Sequence, residues 1–253
     1  MTLMSGHSKW STIKRQKGVT DQKRGQLFTK LAQAITVAVI AGGGVSDPAS
    51  NFKLRLIIEK AREVNMPKDN IARAIMRATE SSGKSNFQEV FYEGYGPGGI
   101  AILIEAATDN RARTYADIKN IFNHGGGNIA GSGAVSFLFE QKGLLTIPTT
   151  DKKKEEVELV AVDSGARDVE EAGENVLVYT DPQNLVQVKK QIEEAGLTVR
   201  GAELTMMPKT TVEVTNIETA RKILTLIELL EDLNDVLNVH TNFEIPDAIL
   251  SSI

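Results

Sequence analysis

No cysteine occurs among the 253 residues. Disulfides, thiolate metal sites, iron–sulfur clusters and a cysteine nucleophile are excluded together. Histidine is scarce, and His7, His124 and His240 show none of the close spacing of a metal site. Long hydrophobic runs are missing as well. The longest near the N-terminus, Leu31 to Ala41, contains Gln33 and Thr36 and falls well short of the roughly 20 residues that cross a bilayer. Met1 to Trp10 contains no apolar stretch of the kind that marks a secretory signal. The expected location is cytoplasmic. No serine sits in a nucleophile elbow, and no Gly-Lys-Ser/Thr phosphate loop occurs. The neighbouring carboxylates Glu155-Glu156, Glu170-Glu171 and Glu193-Glu194 read as solvated charges. These absences predict a protein that is not an enzyme, with no cofactor, no metal and no evident small-molecule substrate.

What is present is charge, unevenly placed. Residues 1–85 carry 15 Lys/Arg against 6 Asp/Glu, a balance of +9, whereas 86–253 carry 14 against 27, a balance of −13. A net charge of −4 therefore conceals a basic first third joined to an acidic body. Such polarity marks a segment that faces nucleic acid or a charged surface.

The basic third is predicted helical. Thr20 or Asp21 caps a helix with Leu27, Leu31, Ile35 and Val39 on one stripe, and Gly42-Gly43-Gly44 stops it. Asp47-Pro48 reads as the next start signal. That helix points Leu54, Ile57, Ile58, Ala61 and Val64 inward and carries Lys53, Lys60, Arg55 and Arg62 on its outer face. After Asn65-Met66-Pro67 a third helix follows, with Arg73 and Arg77 outward, and Ser81–Asn86 is the linker out. Beyond it the period becomes strand-like. Strands are predicted over 88–95, 100–107, 134–140, 144–148, 168–171, 176–179, 198–207, 211–214 and 236–243, with helices over 111–124, 151–163, 182–195 and 217–233. The stretch 144–207 follows the split β-α-β plan, and the remnants on either side together make a second such unit. The expected fold is α+β. A three-helix basic bundle (1–85) precedes two ferredoxin-like α/β domains, one (134–207) inserted into the other (86–133 plus 208–253).

Gly94-x-Gly96-x-x-Gly99 matches a dinucleotide fingerprint in form only, because Pro97 interrupts it and an apolar strand follows instead of a helix. It reads as a hairpin turn. The segment 6–17 is more informative. It combines Lys9, Lys14, Arg15 and Lys17 with several hydroxyls and Trp10. Cations displace counterions from phosphate, and an indole either stacks on a base or anchors the tail to the bundle. With Lys23, Arg24 and Lys30 these residues form the candidate nucleic-acid-binding set. No helix-turn-helix is evident, since proline replaces the usual tight glycine turn between the second and third helices.

Gly6-His7-Ser8-Lys9-Trp10, Phe28-Thr29-Lys30-Leu31, Asn65-Met66-Pro67-Lys68-Asp69-Asn70-Ile71, Tyr92–Gly99, Thr108-Asp109-Asn110-Arg111, Phe137-Leu138-Phe139-Glu140 and Thr241-Asn242-Phe243 resemble the YebC/PmpR family over nearly the whole chain. The first motif begins at residue 6, not directly after an initiator Met, and Val45-Ser46 look inserted after the triple glycine. The resemblance implies a three-domain, non-enzymatic cytoplasmic protein that binds DNA as a transcriptional regulator. Its second implication is a translation activator that meets ribosomal RNA. A third reading, from the charge pattern, is a protein–protein adaptor in which the basic bundle docks an acidic partner, and the acidic α/β domains are a further surface for a protein partner.

Overall fold

The computed structural model describes residues 21–80, 87–149, 154–246 and 249. Three helices come first: α1 (Asp21–Ala41), α2 (Phe52–Glu63) and α3 (Lys68–Glu80). The triple glycine ends α1 as expected. Gly43 and Gly44 take φ of 70° and 87°, and the Gly44 N–H donates to the Val39 carbonyl at 2.9 Å. Asp47-Pro48 does not start α2. Asp47 instead closes a turn through the Ala49 N–H, and Asn51 is the cap.

The Asn51 side chain joins two helices. Its Oδ1 accepts from the Leu54 N–H at 3.0 Å, and its Nδ2 donates to the Ala38 and Val45 carbonyls at 2.9 and 3.0 Å. Gly42 must lack a Cβ here, because one would lie 2.5 Å from Asn51 Nδ2. Asn51→Ala would leave the Leu54 N–H without its cap and untie α1 from α2, and is expected to cost about 2 kcal/mol in a urea titration.

The remaining elements are β1 (Gln88–Tyr95), β2 (Ala101–Thr108), α4 (Arg111–His124), β3 (Asn128–Ala130), β4 (Phe139–Pro148), α5 (Lys154–Asp163), β5 (Asp168–Ala172), β6 (Asn175–Thr180), α6 (Leu185–Glu194), β7 (Gly201–Pro208), β8 (Val212–Glu213), α7 (Ile217–Glu231), β9 (Val236–Thr241) and β10 (Phe243–Glu244). One antiparallel sheet has the order β5-β6-β4-β7. Its central pair, β4 and β6, is separated in the chain by α5 and β5, which is the split plan read from the sequence. The other, β3-β1-β2-β9, places the β1–β2 hairpin at its centre, so its strand order differs from that plan although it too carries two helices. The turn of that hairpin is the glycine cluster, with Gly98 and Gly99 at φ 75° and 76°. A two-stranded ladder, β10-β8, completes the pairing.

Of the expected strand 134–140 only Phe139 and Glu140 are extended, running without a break into the expected 144–148 as one strand, β4, while Ser136–Leu138 is a short 3₁₀ turn. Gln141-Lys142-Gly143 masks the continuity. Gly143 is required, since a Cβ there would sit 2.4 Å from Thr180 Oγ1.

Side-chain alternation assigns each sheet face. Ile102, Ile104 and Ala106 of β2 pack with α4 and α7 in one core, while Leu103 and Glu105 point the other way. Onto that second face comes α1, which touches β1, β2 and β9, while α2 packs on β7. Leu56, on the far side of α2 from the helical core, joins the core of Leu145, Val178 and Ala202.

Two carboxyl groups are buried structurally. Glu93 accepts from the backbone N–H groups of Gly133, Val135 and Ser136 at 2.7, 2.6 and 2.8 Å. Burial opposes its ionisation, but these three donors outweigh it and hold its pKa below the usual glutamate value. Glu170, expected to be solvated, is only 4% exposed. Strand geometry turns Glu170 inward and Glu171 outward, so neighbours in sequence have opposite environments. The Tyr179 hydroxyl donates to Glu170 Oε2 at 3.0 Å, and Oε1 has no partner among the described residues.

Candidate nucleic-acid interface

Helices α1 and α3 pack side by side and leave a groove of about 710 Å³ between them. Its α1 wall is the stripe Gly25, Phe28, Thr29, Ala32, Gln33 and Thr36, whose neighbours along the helix face lie three or four residues apart. The α3 wall is Asn70, Arg73, Ala74 and Arg77. Small residues at Gly25, Ala32 and Ala74 allow close approach of the two backbones. Thr29 and Thr36 return their hydroxyl protons to the Gly25 and Ala32 carbonyls at 3.1 and 2.9 Å, so their oxygens keep acceptor capacity. Gln33 Oε1 has no hydrogen-bond partner among the described residues. Arg73 is steadied from its own helix by the Asp69 carbonyl and Asn70 Oδ1, which leaves the guanidinium planted at the groove edge. Arg77 is exposed one turn further on and has no ion pair among the described residues.

The residues singled out from sequence divide into three groups. Lys9, Trp10, Lys14, Arg15 and Lys17 lie outside the described residues. Lys23 and Arg24 are exposed at the start of α1, at the end where Gly25 opens the groove. Lys30 is turned the other way. It is half-buried and donates from Nζ to the Glu231 carbonyl at the C-terminal end of α7, where a cation complements the helix dipole. The sequence reading placed Arg73 and Arg77 outward but did not join them to the site. Their i, i+4 spacing beside a polar stripe on α1 is the signal that could have done so.

Part of the basic third is neutralised by the protein itself. Lys53 and Lys60, expected on a solvated outer face, point into the junction with the α/β units. Lys53 Nζ meets Glu89 Oε1 at 2.5 Å and Glu105 Oε1 at 3.8 Å, and Lys60 Nζ meets Glu203 Oε2 at 2.5 Å. Lys189 returns the contact to Glu59 at 2.8 Å. Around Lys53 the two glutamates divide their roles. Burial, then a hydrogen bond shared with Glu105, raises the Glu89 pKa. Burial also opposes charge on Glu105, yet His240, Glu89, Asn238 and Lys53 together hold it well below the carboxylate range. The acidic body therefore acts first on its own helices: Lys53 and Lys60 are paired within the protein, while Lys23 and Arg24 on α1, Arg62 on α2 and Arg73 and Arg77 on α3 stay exposed.

With this geometry in place, comparison with known proteins is direct. A family profile described as the TACO1/YebC protein N-terminal domain matches residues 8–81, and one described as the TACO1/YebC second and third domain matches residues 87–243. The chain belongs to the TACO1/YebC family. A family relative from Roseiflexus castenholzii, named a probable transcriptional regulatory protein, is 52% identical over 246 residues, 96% of each chain. Another with that name, from Sulfurihydrogenibium sp., is 46% identical over 251 residues, 99% of each chain. The crystal structure of a conserved hypothetical protein from Aquifex aeolicus superposes with a TM-score of 0.84 at 42% identity, covering 90% of this chain and 93% of that one.

Several of the TACO1/YebC motifs have structural work visible here. Asn65 takes φ 59° to end α2 while Met66 returns its N–H to the Ala61 carbonyl at 2.9 Å. Asn110 caps α4 by accepting from the Arg113 N–H. Asn242 Oδ1 accepts from the Ala101 N–H at 2.7 Å, extending the β2 edge past the end of β9. In the same family segment as Glu93, the Tyr95 hydroxyl donates to the Ala134 carbonyl at 2.9 Å. Among the described residues, no helix is long and apolar enough to cross a membrane.

Proposed function

We propose that this TACO1/YebC protein is a non-enzymatic, cytoplasmic regulator of gene expression that binds nucleic acid, with DNA as its target, through the basic helical unit. The observation that carries this reading is the groove between α1 and α3. Arg73 and Arg77 edge it, hydroxyl and amide oxygens line it together with Asp109, whose charge Arg113 meets at 3.1 Å, and the exposed Lys23 and Arg24 stand at the α1 end from which Lys9, Trp10, Lys14, Arg15 and Lys17 precede it in the chain. Guanidinium groups suit phosphate because they offer paired donors in a plane. The naming of relatives as transcriptional regulators supports the same class. The acidic α/β surface would orient the bound polyanion by repulsion and offers a face to a protein partner.

A second reading, a structured RNA such as ribosomal RNA as the polyanion, is favoured by one observation. In a helix-turn-helix the first helix crosses the DNA backbone. Here the corresponding helix, α2, is committed to β7 through Leu56 and Lys60.

Fluorescence anisotropy with labelled duplex DNA and a structured rRNA fragment of equal length tests both. Between about 50 and 200 mM salt, affinity should fall by orders of magnitude. Arg73→Glu with Arg77→Glu, and separately Lys14→Glu with Arg15→Glu, should each weaken binding and lower the salt slope by about one unit per lost phosphate contact. Duplex binding that outlasts RNA binding at the higher salt supports the DNA reading, and the reverse supports RNA. Unchanged affinity in both double variants would remove the helical unit from the interface.

A further inference from the structure

The α1–α3 groove does not stop at the helical unit. Phe87 and Asp109, both from the α/β body, belong to its lining, and α4 begins two residues beyond Asp109. The Asp109 carboxylate is already met by Arg113 at 3.1 Å, and Arg113 also reaches Asp235 at 2.8 Å.

α4 is unlike the other helices of the body. It carries Arg111, Arg113 and Lys119 against a single acid, Asp117. In α5 one lysine stands against four acids, in α6 the two signs are equal, and in α7 the acids lead. Within a segment whose balance is −13, α4 is therefore a local reversal of sign, and it lies where the groove meets the body.

Arg113 is engaged by its two acids, but Arg111 and Lys119 are exposed and have no ion pair among the described residues. Between them, four residues from each, stands Tyr115, so the three share one stripe of the helix. The Tyr115 residue is 42% exposed. Its ring rests on that of Tyr92, with centroids 6.3 Å apart, and Lys119 Nζ lies 6.0 Å from its centroid. Tyr92 is buried, and its hydroxyl donates to the Arg111 carbonyl at 3.2 Å, which steadies the first turn of α4 and the exposed ring together. Along the axis Arg111 and Lys119 are separated by about 12 Å, a span of a few nucleotides of one strand.

We propose that α4 carries the nucleic-acid interface onto the body, with Arg111 and Lys119 on backbone phosphates and Tyr115 stacked on an unpaired base between them. A base within a duplex has its faces covered by its neighbours, so only an unpaired base offers Tyr115 a face to stack on. The occupant is a strand with unpaired bases, next to the segment held in the groove. This inference rests on the groove reading given under the proposed function and adds a single-stranded part to it.

The test measures the anisotropy of the full chain with a blunt duplex and with the same duplex carrying a tail of about five nucleotides, each made as DNA and as RNA. The tail should tighten binding about tenfold, the scale of one stacked base, and 2-aminopurine placed in the tail should be quenched on binding. The sugar whose tail gains more identifies the source of the strand. The ratio of tailed to blunt affinity should fall to about one in Tyr115→Ala and return in Tyr115→Trp. Arg111→Glu with Lys119→Glu should lower both that ratio and the salt slope of the tailed probe. A tail that adds nothing, an unchanged 2-aminopurine signal, or a ratio that survives Tyr115→Ala would overturn the inference and leave the groove reading standing. Absence of binding by every probe would overturn both. Each ratio is taken within one variant, so a general loss cancels, and the 2-aminopurine signal decides the matter in the unaltered protein.

Discussion

Glu93→Ala is expected to destabilise the protein by about 4 kcal/mol, from three hydrogen bonds to an ionised group and the burial of their orphaned donors. The three N–H groups of Gly133, Val135 and Ser136 converge on one carboxylate, so its removal takes the acceptor from all three at once. Val135 and Phe139, which flank this point, pack against Ala101 and Leu103, so loosening the segment also disturbs that small core. Glu93→Gln keeps one oxygen but turns an amide donor toward donors, and should lose about half as much. Urea titration gives the global cost, and hydrogen exchange at the three amides locates it. A cost below about 1 kcal/mol with protection retained would show that another group has replaced the carboxylate. The pH dependence has a definite sign. The pKa is depressed on folding, so the stabilisation is complete above the ordinary glutamate range and is lost as pH falls through the lower folded value.

Glu170 has the opposite sign. Burial raises its pKa to about 7, against the Tyr179 hydroxyl bond that favours the anion, and the charges of Asp168 and Glu244 push the same way as burial. Folding therefore favours the protonated form. Stability contributed by that proton is present below the unperturbed value of 4.5 and is lost as pH rises to about 7. The full difference amounts to about 3 kcal/mol. Glu170→Gln, uncharged at every pH and still able to accept from Tyr179, should match the parent near pH 4.5 and exceed it above pH 7. Parallel stability curves for the two proteins from pH 4.5 to 8 would show that Glu170 is ionised at no cost in the fold.

The elements that were legible in the sequence are those whose signals are local. The hairpin around Gly98-Gly99, the end of α1 at Gly42–Gly44 and the span of α4 from Arg111 to His124 each depend on backbone conformation or periodicity within a few residues. The errors share a different cause. Lys53 and Lys60 occupy a regular stripe on α2, which in isolation is a solvated face. Their partners Glu89 and Glu203 lie 36 and 143 residues away, and no spacing within the helix announces them. Glu170 looked solvated because paired acids usually are, until strand geometry separated it from Glu171. At the candidate interface, Lys23 and Arg24 were identified by type and remain exposed, whereas Lys30, two turns along the same helix, faces α7. Residue type named the chemistry, and helical phase together with the docked body decided which cations were left for it.

The route of the chain through its sheets has a consequence for how the protein is made. β2 pairs with β9, matching Ile102 with Thr241, yet every strand of the β5-β6-β4-β7 sheet is translated in between. As the polypeptide emerges from the N-terminus, the β1–β2 hairpin must wait with one edge unpaired and the apolar side chains of Ile102 and Ile104 uncovered by α7. The intervening unit has all its strands and both its helices in hand by Pro208, well before that wait ends. During synthesis the later-numbered sheet can thus close first, and the earlier one is the last to be sealed and the more exposed to edge-on association with a neighbouring nascent chain.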